Sequence, residues 1–163
     1  MTDDNVIPMK KRKPDKGAKF TDKWGPLVAK MGHLQTPSLL LKAQDRLGLS
    51  PTQLNVLLQV MDHWWNAAAN PYPSKQLIAN KMGMTPRQVQ RVIAELETGG
   101  FIRRIERYWP NGGKNSNEYD FTGLVKKLQK LAPEFIAIEE ETRSKRRAVV
   151  RRGHNARVGG TAK

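Results

Sequence analysis

Arg87, Gln88, Gln90 and Arg91 stand together in the run TPRQVQRVIAEL, Thr85 to Leu96. The arginine fork matches the O6 and N7 edge of guanine, and a glutamine amide matches the N6 and N7 edge of adenine. Side chains of these types, closely spaced on one helix, can read base edges. Arg87 and Arg91 are four residues apart and share a helical face. Thr85, with the free backbone N–H groups of a helix start behind it, suits a phosphate oxygen. The same residues also suit an ordinary solvated helix face. Only the scaffold around them can decide between the two.

That scaffold is written into Lys75 to Leu96, KQLIANKMGMTPRQVQRVIAEL. The spacing predicts two short amphipathic helices joined by a tight turn. Ala79 falls where the first helix meets the second, and a larger side chain would hold them apart. Gly83 follows four residues on, where the chain must turn through a positive φ that glycine reaches easily. Thr85 and Pro86 supply the N-cap and first-turn proline of the second helix. Val89, Val92, Ile93 and Leu96 recur at helical spacing and predict its buried face. The polar set is left on the opposite side of a helix over 86–97. Ser74 caps the first helix, and with Lys75 it is a further candidate DNA contact.

Other elements frame this pair. Thr36-Pro37-Ser38 can start a helix through Leu47, stopped by Gly48. Ser50-Pro51 opens another that runs to about Asn66, with Leu54, Leu57, Leu58, Met61, Trp64 and Trp65 on or near its apolar side. At least one of the two tryptophans should be core; the other reading is a stacking platform for single strands. Two prolines keep Asn70–Ser74 extended. After the helix stop Glu97-Thr98-Gly99-Gly100, Phe101–Tyr108 has strand composition. Trp109–Lys114 is a turn whose Asn-Gly favours a hairpin, and Asn117–Phe121 returns as a strand. Alternation sets Arg103, Ile105 and Arg107 on one face and Ile102, Arg104 and Glu106 on the other. Arg103, Arg104, Arg107, Lys114 and Asn115 are therefore candidate contacts. Lys114 and Asn115, at the tip, suit backbone or minor groove. Trp109 either caps the hairpin or touches a partner.

The stretch from Tyr72 to Leu124, YPSKQLIANKMGMTPRQVQRVIAELETGGFIRRIERYWPNGGKNSNEYDFTGL, resembles the winged helix-turn-helix domains of bacterial, phage and plasmid DNA-binding proteins. That group includes transcriptional regulators and replication initiators. The likeness spans about residues 36–124, and the Asn-x-Tyr-Asp of Asn117–Asp120 is especially similar. It implies a double-stranded DNA-binding module, with the hairpin over 101–121 as the wing. It leaves the physiological role open, because fold does not fix function.

The expected fold class is mainly α with a small β-hairpin (α+β): a winged helix-turn-helix with an extra C-terminal helix and basic tails. Residues 1–35, rich in Lys, Gly, Pro and Asp, read as a mostly disordered tail. Residues 36–123 form the DNA-binding domain, 124–142 a helical extension and 143–163 a basic tail of doubtful order. In the extension, Leu124, Leu128, Leu131, Phe135 and Ile138 recur at spacings of four, three, four and three, like a heptad seam. This seam is a candidate dimer surface, or else it folds back over its own core. Pro133 predicts a kink, or a second helix starting there.

Composition narrows the function. The net charge is +14 and the apolar share 38%, which fits a compact core, polar tails and a polyanionic partner. Residues 143–163 hold eight Lys or Arg and no acid, a net +8, and residues 1–36 add +4. The motif and wing region, 74–120, contributes only +3. Basic tails flanking a compact module commonly add phosphate contacts without sequence choice. There are no cysteines, which removes disulfides, thiolate zinc sites and thiol nucleophiles. His33, His63 and His154 are isolated and suggest no metal site. Gly112-Gly113-Lys114 lacks the spacing and Ser/Thr of a phosphate loop. Glu139–Glu141 reads as a solvated face. The chain shows no catalytic constellation, so neither enzyme activity nor a cofactor is expected, and no small-molecule effector is called for. With no membrane-length apolar run and no secretory h-region, the expected location is cytoplasmic.

The expected function is sequence-specific binding of double-stranded DNA by a transcriptional regulator, with the helix over 86–97 in the major groove and homodimerisation as its partner mode. A single reading helix buries little surface and usually needs a second half-site. The alternatives are a plasmid or phage replication initiator or partition-type protein, and a non-specific nucleoid-type coating protein. RNA fits less well, because its deep A-form groove offers such a helix no easy way in.

Overall fold

A computed structural model describes residues 19–158. The chain divides after His33 into two units. In the first, α1 (Phe20–Trp24) and α2 (Pro26–Lys30) meet at Gly25 and bury none of their residues. Asp22 Oδ2 accepts the backbone N–H of Lys19 at 3.0 Å, and the Phe20 and His33 rings lie 5.0 Å apart. Helix therefore replaces the structureless tail expected over this part of 1–35; residues 1–18 lie outside the described residues.

The second unit carries α3 (Ser38–Lys42), α4 (Pro51–Met61), α5 (Lys75–Met82), α6 (Pro86–Thr98), β1 (Arg103–Ile105), β2 (Glu118–Asp120) and α7 (Thr122–Val158). Each of the three middle helices starts at a hydroxyl cap. Ser50, Ser74 and Thr85 accept the backbone N–H three residues on, from Gln53, Leu77 and Gln88. Gly83 ends α5 in the left-handed region, at φ 63° and ψ 31°, which aims the chain into α6. Ile78 and Ala79 of α5 meet Val89, Val92, Ile93 and Leu96 of α6 in one core with Val56, Leu57 and Val60 of α4. Complete burial of Ala79 is what lets α5 and α6 approach.

The hairpin closes this core. β1 and β2 are antiparallel, with Arg103 opposite Asp120, Arg104 opposite Tyr119 and Ile105 opposite Glu118. A single bridge, Tyr108 with Lys114, continues the pairing towards the tip. Tyr119 is buried and its N–H reaches Pro71 O at 2.9 Å, which ties the extended 70–73 segment to the wing. At the base of the hairpin, a Cβ added to Gly123 would fall 2.3 Å from Gly100 O, and Leu124 N–H donates to Phe101 O at 3.0 Å. The start of α7 is thus in backbone contact with the corner between α6 and β1, and only glycine fits there.

Three elements differ from the sequence expectation. α3 stops at Lys42 and continues as turns to Gly48. α4 ends at Met61, short of Asn66, because Trp64 leaves the helix path to stack on Phe121, centroids 5.0 Å apart and planes 21° apart. Trp64 is thereby half-buried against the core, while Trp65 is 86% exposed and donates its indole N–H to Asp62 O. α7 runs unbroken through Pro133 and carries the basic residues from Arg143 to Arg157 as helix. A proline inside a helix forfeits one i→i−4 bond. Packing offsets that cost on both sides of it: Leu124 and Leu128 sit in the core, and Phe135 lies under the Arg46 guanidinium, with Arg46–Glu134 and Lys42–Glu139 ion pairs flanking it. Beyond Pro133 the sequence holds no glycine until Gly153, and Glu141 pairs with Lys145 one turn on at 2.6 Å. The expected seam is consequently split. Leu124 and Leu128 belong to the chain's own core, Leu131 and Phe135 are half-buried, and Ile138 is exposed.

Candidate nucleic-acid interface

α6 turns its apolar side inward and leaves Arg87, Gln88, Gln90 and Arg91 exposed. Their availability differs. The Gln88 side chain folds back onto the helix start, where its Oε1 accepts from Thr85 N at 2.8 Å and from Thr85 Oγ1 at 3.0 Å. Thr85 Oγ1 in turn accepts Gln88 N–H at 3.2 Å, closing a reciprocal cap. Gln90 Oε1 accepts from Lys75 Nζ at 3.0 Å, linking the exposed side of α6 to the start of α5. Arg91 Nε lies 3.8 Å from Glu95, a loose pair on one helix. Arg87 pairs with no carboxylate among the described residues.

Between the α5 start, α6 and the wing lies a groove of about 800 Å³ that brings together Ser74, Lys75, Gln90, Arg104, Lys114 and Asn115. Thr85, Arg87, Gln88 and Arg91 line an adjoining concave face, which Gln90 and Arg104 also border. Most of the side chains singled out in the sequence therefore share one surface. Arg103 and Arg107 lie outside both concavities, as strand alternation requires. Arg103 Nη2 binds Asp120 at 2.9 Å. Arg107 is held by Glu118 at 3.2 Å and over the Tyr72 ring at 4.3 Å, and its Nη1 is buried without a partner.

The groove also holds two carboxylates not counted among the sequence candidates, Glu97 and Glu106. Glu97 accepts the backbone N–H of Arg104 at 3.0 Å and its Nε at 2.7 Å. That side-chain hydrogen bond holds the Glu97 carboxyl below its ordinary value, against a smaller opposing effect of burial. Glu106 accepts from Tyr108 OH at 2.6 Å and from Lys114 Nζ at 2.9 Å, and these two donors lower its pKa in that order. Lys114 and Tyr108 are both raised, first of all by the hydrogen bond to Glu106. Alternation did place Glu106 beside Arg104 on one strand face; it gave no sign that Glu97 would reach across from α6.

Among the described residues no group of three or more His, Asp or Glu is placed to hold a metal. No described helix is long and apolar enough to cross a membrane.

Residues 47–102, about a third of the chain, match the family model of a helix-turn-helix domain, a span that covers α4, α5 and α6 and stops as the wing begins. No curated protein matches the chain. Among solved structures, the N-terminal domain of the DnaD protein from Geobacillus kaustophilus is 22% identical, with a TM-score of 0.50 over 71% of this chain and 96% of that one. The YusO protein of Bacillus subtilis is 19% identical, with a TM-score of 0.41 over 83% of this chain and 91% of that one. A MarR-family transcriptional regulator from Rhodococcus is also 19% identical, with a TM-score of 0.38 over 86% and 94%. At these identities the first likeness concerns fold alone, and the other two add no weight to it. The architecture is a winged helix-turn-helix, mainly α with a two-stranded hairpin.

Proposed function

We propose that the chain is a sequence-specific double-stranded DNA-binding protein acting as a transcriptional regulator, with α6 in the major groove and the hairpin as wing. One observation carries the reading. The exposed side of a capped, well-buried helix presents Arg87, Gln90 and Arg91 next to a groove bounded by Ser74, Lys75, Lys114 and Asn115. Arginine supplies two donors for the guanine edge, glutamine a donor and an acceptor for the adenine edge, and the flanking hydroxyl and ammonium groups suit phosphates. Gln88, turned onto its own cap, supports helix geometry more than base contact. Arg103 and Arg107 support the wing from its other side.

The proposed protein is a homodimer on DNA, since one such helix rarely suffices for a specific site. On α7 the exposed apolar side chains are Ile138 and Val149, which share one helical side, and Ile136, which lies on the opposite one. Sedimentation free and on DNA tests this: a monomer at tens of micromolar in both states removes the dimer. The function is tested by selecting a preferred duplex from a random pool, then titrating it against a scrambled one at two salt concentrations. Equal affinities overturn specific regulation in favour of a coating protein. Footprinting on host DNA follows: sites upstream of many promoters support the regulator, and one cluster at a single locus replaces it with the initiator.

A further inference from the structure

Between residues 101 and 121 the chain has four Lys or Arg, and a carboxylate of the same chain holds each of them. The wing is thus a self-neutralised hairpin and not a free basic finger. The four pairs are not alike. Asp120 also accepts from Thr122 N and Oγ1 at the start of α7, and Glu118 pairs with an arginine packed over Tyr72. Glu97 binds the backbone of β1 as well as the Arg104 guanidinium. Those three carboxylates tie elements together. Glu106 and Lys114 are both more than half exposed, lie near the hairpin tip and face the groove beside α6. Their pair can open without disturbing the core.

We propose that Glu106 limits non-specific binding: it occupies Lys114 until a DNA phosphate displaces it, and so lowers the affinity of the wing for duplex that α6 does not hold in place. The inference rests on the reading that this face binds DNA. A phosphate entering the groove meets a carboxylate before it meets a free ammonium. Generic duplex gains little from the exchange of one anion for another. A cognate site, held by α6, keeps the phosphate in place long enough for the exchange to persist. The wing then rewards a correctly seated duplex and penalises a sliding one.

The test uses the full chain and the variants Glu106→Gln, Lys114→Gln and the double substitution. Glutamine keeps one oxygen for the Tyr108 hydroxyl and removes the charge and the second acceptor that Lys114 uses. Binding of fluorescent scrambled duplex is followed by anisotropy at about 50 and 200 mM salt, where phosphate contacts separate clearly. Glu106→Gln should bind scrambled duplex roughly three- to tenfold tighter at low salt, with a salt slope steeper by about one contact. The gain should vanish in the double variant. If Glu106 merely braced the hairpin, its loss would loosen the wing and weaken binding, so equal or weaker affinity for scrambled duplex overturns the proposal. Wild-type protein that binds no duplex overturns the DNA reading itself, whereas binding unchanged by the substitution overturns only the role of Glu106.

Discussion

Arg87 is the α6 cation that no described carboxylate holds, so its loss leaves no described ion pair broken. Arg87→Ala should weaken binding to the selected duplex by ~1–3 kcal/mol and relax the preference at one base position, as measured by titration against single-base variants. Gln88 is its counterpoint. With its amide oxygen committed to Thr85, Gln88→Ala should lower the unfolding temperature slightly and leave base preference intact. Residue type alone does not separate the two, but the spacing Thr85-x-x-Gln88 is that of a capping box and sets Gln88 apart. Gly83 shows a different economy. No atom would touch an added Cβ there, but φ stands at +63°. Gly83→Val should therefore cost about 1–2 kcal/mol through backbone strain alone. Thermal denaturation checks it, and an unchanged midpoint would show the turn to be unstrained.

The junction of α6 with β1 depends on Glu97, and acid should weaken it. The Arg104 hydrogen bond lowers the folded-state pKa of Glu97 below its unconstrained value of 4.5. A lowered folded pKa means stabilisation that is complete above the unfolded pKa and is lost as pH falls below 4.5 through the folded value. Asp120 has the same sign, lowered first by the Thr122 hydroxyl and then by the Thr122 backbone N–H. Denaturant titrations at neutral pH and below pH 4.5 should show this loss, and Glu97→Gln should shrink the difference between them. How legible such elements are follows from the range of the forces behind them. α5, its turn and α6 rest on caps, a left-handed glycine and an apolar period, all within a few residues of each other, and the sequence displays them. The Asn-Gly of the hairpin is equally local. The early end of α4 is not, because it depends on Trp64 finding Phe121, a partner distant in sequence. The unbroken α7 is obscured because Pro133 argues locally for a break, while Phe135 and the ion pairs to Lys42 and Arg46 argue for continuity only once the chain is folded.

Charge and length act on the whole molecule. The motif and wing region carries +3 of the +14, and the four wing cations are already paired, so the ionic affinity of the proposed DNA complex would come largely from the ends of the chain. Removing residues 143–163, with eight positive charges, should flatten the salt dependence of duplex binding and leave sequence preference in place. If preference disappeared as well, the basic end would itself be part of the reader. The form in which these charges arrive also has a consequence. α7 starts in backbone contact with the α6–β1 corner and is 37 residues long, so it rises about 55 Å at 1.5 Å per residue. Arg143 lies about 30 Å up that rise, close to the ~34 Å of one duplex turn. The helical part of the basic stretch is then carried on a boom, at a set radius and azimuth from the reading helix, and does not trail from it on a slack tether. A tether forgives insertions, whereas a boom does not: each residue added to it turns its far end by about 100°. In the proposed DNA complex, phasing along the duplex, and not only total charge, would be a property that the length of this helix controls.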